Sequence, residues 1–247
     1  MKGTGILPRI EPKKECWDII KRYYPNYEGK GTLFRTLLEE HLRSEQILVD
    51  VGCGRGKETP CDYKARVRRS IGVDLSEEIR KNTKVQDRIV GDGANIPLAT
   101  GSADVVVCQE LLEHLETPEK VFKEAARILK RQGIFIIMTP NLMGWRSLVS
   151  RLTPYGFHKV MNRRLYGIDP DDVFPTYYRA NTRKKIERLL NGEGLEIEKW
   201  IWFEPTPRTL AFSRLLVYLE IMYTKTLRKY RVLSFLRETI IVCARKR

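Results

Sequence analysis

The stretch Ile47-Leu48-Val49-Asp50-Val51-Gly52-Cys53-Gly54-Arg55-Gly56-Lys57 decides the fold. Ile47, Leu48, Val49 and Val51 surround one carboxylate, Asp50, and suit a strand buried on both faces, as in a parallel sheet. Three glycines follow at once. Gly52, Gly54 and Gly56 allow a sharp turn and let a ligand approach the amides with no Cβ in the way. In an open α/β sheet, that crevice past the carboxyl ends of the strands is where ligands bind. Spacing then separates the ligand classes. A dinucleotide fingerprint runs G-x-G-x-x-G, its third glycine packing helix on strand. Here the order is G-x-G-x-G, and Asp50 stands two residues ahead of the first glycine. A carboxylate at this turn repels pyrophosphate and suits a ligand bearing an ammonium and a sulfonium.

Working toward the carboxyl terminus, residues 58–69 are short and contain Pro60, which predicts an abbreviated or irregular first crossover. Ser70–Asp74 reads as a second strand ending in an acid, placed to accept ribose hydroxyls. A short helix over Glu77–Asn82 and a third strand over Arg88–Val90 lead into Gly91-Asp92-Gly93-Ala94-Asn95-Ile96-Pro97. The turn Gly101-Ser102-Ala103-Asp104 opens a fourth strand, Ala103–Cys108. Thr117 as cap and Pro118 at the first position start the next helix, which buries Val121, Phe122, Ala125, Ile128 and Leu129. Gly133 is expected to stop it, and Ile134–Met138 to form the fifth strand.

Continuously and in order, Ile47–Asn141 resembles the class I S-adenosylmethionine (SAM) dependent methyltransferases. The G-S-x-D turn into the fourth strand resembles the type 11 methyltransferase domain, found in quinone-biosynthesis enzymes and many relatives. The resemblance implies an α/β, Rossmann-like seven-stranded sheet, mostly parallel with the last strand antiparallel, with helices on both faces and inserted helical segments. It implies SAM as cofactor, held at Asp50, Gly52, Cys53, Gly54 and Gly56, at Asp74 for the ribose with Leu75 beside it, and at Asp92 and Ala94 for the adenine with Gly93 between them. The backbone near Cys108 and Gln109 would meet the methionine amino group. Arg131-Gln132-Gly133 departs from the proline and two glycines more usual in the family.

His114 is the candidate general base, because imidazole titrates near working pH and follows the fourth strand at the crevice mouth. Glu110, Glu113 and His114 also resemble the divalent-metal cluster of some quinone-pathway and small-RNA 2′-O-methyltransferases, if they share one helical face. The same E-H pair is widespread in the type 11 domain, where it caps or orients the loop, so no metal ligand is assigned. Tyr155, His158, Tyr177 and Tyr178 are secondary candidates.

The flanks divide the chain into a helical lid (1–45), the cofactor core (46–141), a substrate-recognition insertion (142–180) and a C-terminal part of the core (181–247). The lid carries a helix over Lys14–Tyr23 and another over Leu33–Leu42 capped by Thr32, with Trp17, Tyr23, Tyr24 and Tyr27 as lid aromatics or packing residues. The segment Phe174-Pro175-Thr176-Tyr177-Tyr178-Arg179-Ala180-Asn181-Thr182 resembles a group of prokaryotic methyltransferases. Asn181-Thr182 caps a helix over Arg183–Leu190, stopped by Gly192 and Gly194. Strands follow at Leu195–Phe203 and Thr239–Ala244, separated by an unusually long connection, 204–238. Within it, Leu210–Tyr223 is almost wholly apolar and is followed by Lys225, Arg228, Lys229 and Arg231. An anionic membrane surface over 208–236 is one expected partner, and a homodimer is another.

Composition bounds the rest. A chain of 247 residues with 42% hydrophobic and 31% charged residues can bury a sizeable core. Cys16, Cys53, Cys61, Cys108 and Cys243 form no C-x-x-C pair, and there is no apolar leader at the start of the chain or membrane-length apolar run. These features place the chain in a reducing cytoplasm, with peripheral attachment to the membrane's inner face as an extension. Of the net charge of +14, residues 1–141 contribute 24 Lys and Arg against 21 Asp and Glu, and residues 142–247 contribute 21 against 10. That asymmetry suits an anionic partner. The leading function is methyl transfer from SAM to a small-molecule, lipid-linked or glycan-linked acceptor at oxygen. An RNA methyltransferase is the less favoured alternative, since Cys108-Gln109-Glu110 is not the N/D-P-P-Y/F of nucleic-acid amino methyltransferases and no RNA-binding module is appended. A non-catalytic SAM-binding regulator is the third reading.

Overall fold

The computed structural model describes residues 11–26, 29–57, 59–154, 156, 160, 164 and 174–247. Tyr27, Tyr155 and His158 lie outside the described residues. Seven strands form one sheet: β1 Ile47–Val51, β2 Arg69–Asp74, β3 Asp87–Val90, β4 Ala103–Gln109, β5 Leu129–Pro140, β6 Leu195–Phe203 and β7 Thr239–Lys246. The helices are α1 Lys14–Tyr23, α2 Lys30–His41, α3 Pro118–Ile128, α4 Trp145–Leu152, α5 Arg183–Gly192 and α6 Arg214–Lys229.

The spatial order is β3-β2-β1-β4-β5-β7-β6. β1 through β5 pair in parallel, and β7 runs antiparallel between β5 and β6. This is the expected mostly parallel Rossmann-like sheet with its antiparallel last strand. The strand order changes direction at β1, growing one way through β2 and β3 and the other through β4 and β5, so the carboxyl ends of β2, β1 and β4 open a crevice at this switch point.

Alternation along the strands fills two layers. Val49, Val51, Val106, Phe135 and Ile137 meet Val121, Phe122 and Ala125 of α3 and Ile186, Leu189 and Leu190 of α5. Leu48, Val105, Val107, Ile136 and Met138 face the other way, onto Phe34, Leu37 and Leu38 of α2. Each such large apolar side chain, once buried, contributes about 1.5–3 kcal/mol. Phe122 and Phe135 meet edge to face with centroids 5.6 Å apart.

Several boundaries differ from the sequence reading. α2 begins at Lys30, after Gly29, so Thr32 sits inside the first turn and caps nothing. The reason is tertiary: Lys30 pairs with Glu110 across the sheet edge, which holds an additional half-turn. Gly133 does not end α3, which stops at Ile128 with Leu129 already extended. Instead a five-residue step from Leu129 to Ile134 passes the two-residue step from Ala103 to Val105, and the extra chain bulges out. Gln132 takes φ +64° there, and a Cβ on Gly133 would sit 2.9 Å from the Lys130 carbonyl oxygen. The glycine serves the bulge. Thr117 and Thr182 precede their helices without a side-chain capping bond. The apolar run expected to be helical from Leu210 becomes α6 only at Arg214, and continues to Lys229. As Pro60 implied, the first crossover shrinks to a single 3₁₀ turn, Tyr63–Ala65.

α1 packs on α6: Cys16, Ile19 and Ile20 are buried with Val217 and Ile221, and Trp17 and Tyr24 lie against the same group. All five cysteines are free.

Candidate active site

The residues singled out in the sequence converge on four adjacent carboxyl ends. Asp50 lies within β1, 3% exposed, and pairs in register with Gly72 of β2 and Val107 of β4. Gly52, Gly54 and Gly56 then take φ of +78°, +46° and +76°, a left-handed succession that side-chain-bearing residues enter only with strain. The turn is seated on β2, since a Cβ on Gly72 would come 2.6 Å from Cys53 Sγ.

Asp74, at the end of β2, reaches back to this turn. Its carboxylate accepts the Gly54 amide on one oxygen and the Ser76 amide on the other, each at 2.8 Å. Both oxygens are thereby aimed, and each keeps a lone pair for a further donor. Leu75 beside it stands 74% exposed, an apolar surface that folding leaves unused. Asp92 spends one oxygen on the Ala94 amide at 2.9 Å. The adenine-facing amide expected at Ala94 is therefore engaged in this loop. The neighbouring Gly93 amide makes no such bond among the described residues, and a Cβ on Gly93 would collide with Val51. Cys108 and Gln109 end β4, both buried, so only their backbone is placed to serve the crevice.

Electrostatics favour a cation here. Burial raises Asp50 to about 8, and the Asp74 charge adds to the rise. Two carboxylates converge on one glycine turn, and an ammonium or sulfonium near them would relieve that cost. The donor set and the apolar shelf of Leu75 thus fit SAM: carboxylates for the cationic end, an oriented acid for ribose hydroxyls and an open apolar side chain for the base.

Asn82 was missed in the sequence. It is fully buried, donating from Nδ2 to the Gly54 carbonyl at 3.0 Å and accepting the Lys84 amide on Oδ1 at 2.8 Å. It fixes the back of the glycine turn, and no local motif announces a partner 28 residues away. Arg55 is tied to Glu78 in the same region.

On the other wall, Glu110 adopts φ +52°, and a three-residue 3₁₀ turn, Leu112–His114, follows. The left-handed residue interrupts the helical spacing after β4, although Glu113 Oε1 and His114 Nε2 stay 3.9 Å apart. Glu110 pairs with Lys30, Glu113 turns inward, and His114 remains partly exposed. Among the described residues, no three His, Cys, Asp or Glu side chains are grouped to hold a metal ion. Glu113 accepts from Thr139 Oγ1 at 3.2 Å and is raised to about 8 by burial and by neighbouring Glu110. Thr139 in turn accepts from Asn181 Nδ2 at 2.7 Å.

The segment from Phe174 to Arg179 straps this turn down. The Tyr177 and Tyr178 amides donate to the Glu113 carbonyl at 2.7 and 3.2 Å, and Arg179 Nη1 donates to the Glu116 carbonyl at 2.6 Å. His114 Nδ1 lies 2.7 Å from the Pro175 carbonyl, and its ring meets Phe174 edge to face at 6.0 Å. Tyr178 takes φ +51° and points into Ser147, Ser150 and Thr176, its hydroxyl pushed up by burial. Tyr177 interacts with Glu116 and Arg179 near the surface. Neither tyrosine stands beside the glycine turn.

Comparison with known proteins agrees with this geometry. The family described as "Methyltransferase domain" matches residues 49–137. A ubiquinone biosynthesis O-methyltransferase of Nitrosomonas europaea is 31% identical over 163 residues, covering 58% of this chain and 68% of the relative. An uncharacterized protein of Methanocaldococcus jannaschii is 24% identical over 197 residues, 74% of this chain and 76% of its own length. Among solved structures, the geranyl diphosphate C-methyltransferase of Streptomyces coelicolor, with Mg2+, geranyl diphosphate and S-adenosyl-L-homocysteine, superposes with a TM-score of 0.53 at 19% identity, covering 88% of this chain and 79% of that one. At that identity the likeness concerns the fold. Together with the type 11 signature over the matched core, these findings show that the chain belongs to the SAM-dependent methyltransferases and uses S-adenosylmethionine as its cofactor.

Proposed function

We propose that the enzyme methylates a hydroxyl oxygen of a small-molecule, lipid-linked or glycan-linked acceptor, with His114 as general base. The observation that supports this reading is the tautomer of His114. A carbonyl can only accept, so Nδ1 carries the proton donated to Pro175, and in the neutral ring Nε2 keeps the lone pair. Burial also holds the ring below the ordinary histidine range, so it is neutral at physiological pH. A neutral imidazole oriented by a second hydrogen bond is ready to take the hydroxyl proton that an oxygen acceptor loses as its methyl ether forms. The Nitrosomonas europaea relative, an O-methyltransferase by name, points the same way.

In this reading the chain's contribution is positional as much as chemical. Aligning acceptor and donor in a closed crevice supplies up to about 7–11 kcal/mol. The strap from Phe174 to Arg179 then holds the base where the acceptor enters. The test is turnover of phenolic and long-chain alcohol acceptors and of a total lipid extract, with mass-spectrometric assignment of the methylated atom. His114→Gln is expected to lower kcat about 10²- to 10⁴-fold while leaving the calorimetric Kd for SAM unchanged. The wild-type rate should fall on the acid side below pH 6.5, and that limb should vanish in the variant. Full activity in His114→Gln, or methylation at nitrogen or carbon, would sink the proposal.

A further inference from the structure

The helix that interrupts the β6–β7 hairpin is apolar on its outer side as well as its inner one. Facing the protein, α6 presents Val217, Glu220, Ile221, Thr224 and Leu227, all buried although two are polar. The outward stripe begins with Leu215, Tyr218, Leu219 and Met222, with Leu215 69%, Leu219 56% and Met222 62% exposed. A surface helix ordinarily turns a polar face outward. The buried acid is satisfied from within. Glu220 accepts the Thr209 and Leu210 amides at 3.2 and 3.0 Å and pairs with Arg146 of α4 at 3.3 Å. Beyond the helix, Tyr230, Val232 and Phe235 are also exposed, and α4 exposes Leu148, Val149 and Leu152. Contiguous apolar surface of this kind marks an interaction site.

Charge identifies the partner. Residues 205–237 hold seven Lys and Arg and a single acid, Glu220, which is buried. The outward stripe of α6 itself continues into Lys225 and Lys229. At its flank, Tyr218 meets Tyr23 edge to face at 6.3 Å, and Lys225 lies 4.1 Å over the Tyr23 ring. An apolar stripe passing into bases, with tyrosines beside it, is the composition of a helix lying in a membrane interface. A second copy would set these bases against their own equivalents across a two-fold axis. Among the described residues no helix is long and apolar enough to cross a membrane, so the geometry is one of lying on it. β6 runs parallel to β5, so the excursion emerges at the carboxyl edge of the sheet, beside the crevice.

We propose that α6 and the turn after it form a docking surface for an anionic phospholipid bilayer. Leu215, Leu219, Met222 and Val232 enter the acyl boundary, while Lys225, Lys229 and Arg231 meet lipid phosphates. The surface stands apart from methyl transfer and would hold whatever the acceptor is.

The test is co-sedimentation of the full chain with vesicles of phosphatidylcholine alone and of phosphatidylcholine mixed with phosphatidylglycerol, with sedimentation velocity and an RNA gel shift alongside. Binding is expected only to the anionic vesicles, weakening with salt. Lys229→Gln with Arg231→Gln should weaken it roughly thirtyfold, about fivefold per charge. Leu219→Asp with Met222→Asp should abolish it, with SAM calorimetry showing that each variant is folded. Equal binding to both vesicle types, or variants that bind like wild type, would overturn the proposal. So would a dimer that Leu219→Asp splits while vesicles are ignored, which assigns the face to a second copy. Tight RNA binding lost in the charge pair but kept in the apolar pair, without vesicle binding, would assign it to nucleic acid.

Discussion

Replacing Gly56 by alanine tests whether the glycine turn is held by sterics and one buried asparagine. The residue has φ +76°, and a Cβ there would stand 2.6 Å from Asn82 Oδ1 and 2.9 Å from its Cγ. Asn82 is not a flexible end that can swing away, because it is fully buried and bonded to the Gly54 carbonyl and the Lys84 amide. The left-handed backbone alone costs an alanine about 1–2 kcal/mol. Displacing Asn82 adds the loss of two part-buried hydrogen bonds, about 1–3 kcal/mol more. Gly101 provides the control: its φ is +67°, yet nothing lies within 4 Å of its Cβ position. Gly101→Ala should therefore show the backbone cost by itself. For a chain of this size each kcal/mol shifts Tm by about 2–4 °C. Calorimetric unfolding should place Gly101→Ala roughly 2–8 °C below wild type and Gly56→Ala roughly 4–20 °C below, with SAM affinity falling only in Gly56→Ala. Equal Tm losses in the two variants would refute the role assigned to Asn82.

Stability should also fall as pH rises. Asp50 and Glu113 are held near 8 and Glu204 near 7, all by burial first, so the folded state keeps protons that the unfolded chain gives up from the ordinary carboxylate range upward. The folded state binds more protons across that window, and unfolding free energy declines through it. His41 and His114, both lowered by burial, act in the opposite sense, but only at and below their ordinary value of 6.5. A Tm that drops between pH 6.5 and 8, with a shallower drop in Asp50→Asn, is the expected result; a flat profile would contradict it. SAM binding at pH 7 should release a proton as the incoming cation draws Asp50 down. Titrations in buffers of different ionisation enthalpy should therefore disagree for wild type and agree for Asp50→Asn, and buffer-independent heats in wild type would exclude Asp50 as the linked group.

The core was legible because its information is local. Asp50 to Gly56 carries strand, acid and turn in seven residues, and continuous apolar runs marked β1, β4 and β5 as strands buried on both faces. Even the shortened crossover followed from one proline. What stayed hidden depends on contacts distant in sequence. Asn82 looks like the end of a charged helix until Gly54 is seen against it. The strap from Phe174 to Arg179 could be noticed as a string, but its hold on Glu113 and His114 spans about sixty residues of chain. At Glu110, Glu113 and His114 a left-handed residue stands where spacing suggested one helical face, and spacing does not encode that dihedral angle. Gly133 was misread because a helix stop and a β-bulge both call for glycine.

One pattern runs through both ends of the molecule. The chain carries a large positive net charge, yet it buries carboxylates along the carboxyl edge of its sheet: Asp50 and Glu113 at the crevice, Glu204 and Glu238 beneath α6. Burial raises all four, so each is held at a cost. Under α6 the cost is explained by structure. Glu204 accepts the Glu238 amide at 3.0 Å, and the Glu238 carboxylate accepts the Arg146 amide at 3.4 Å and feels the Arg146 guanidinium, so these acids close the base of the excursion. At Asp50, among the described residues, the neighbour that shifts the group is another acid, Asp74, which worsens the cost. A fold that only needed stability would place an apolar residue there. The acid makes sense when the position serves a cation that arrives from solution, and the exposed bases of α6 make sense when that outer face meets an anion. Acids inside and bases outside give one edge of the sheet two partners of opposite charge without competition between them.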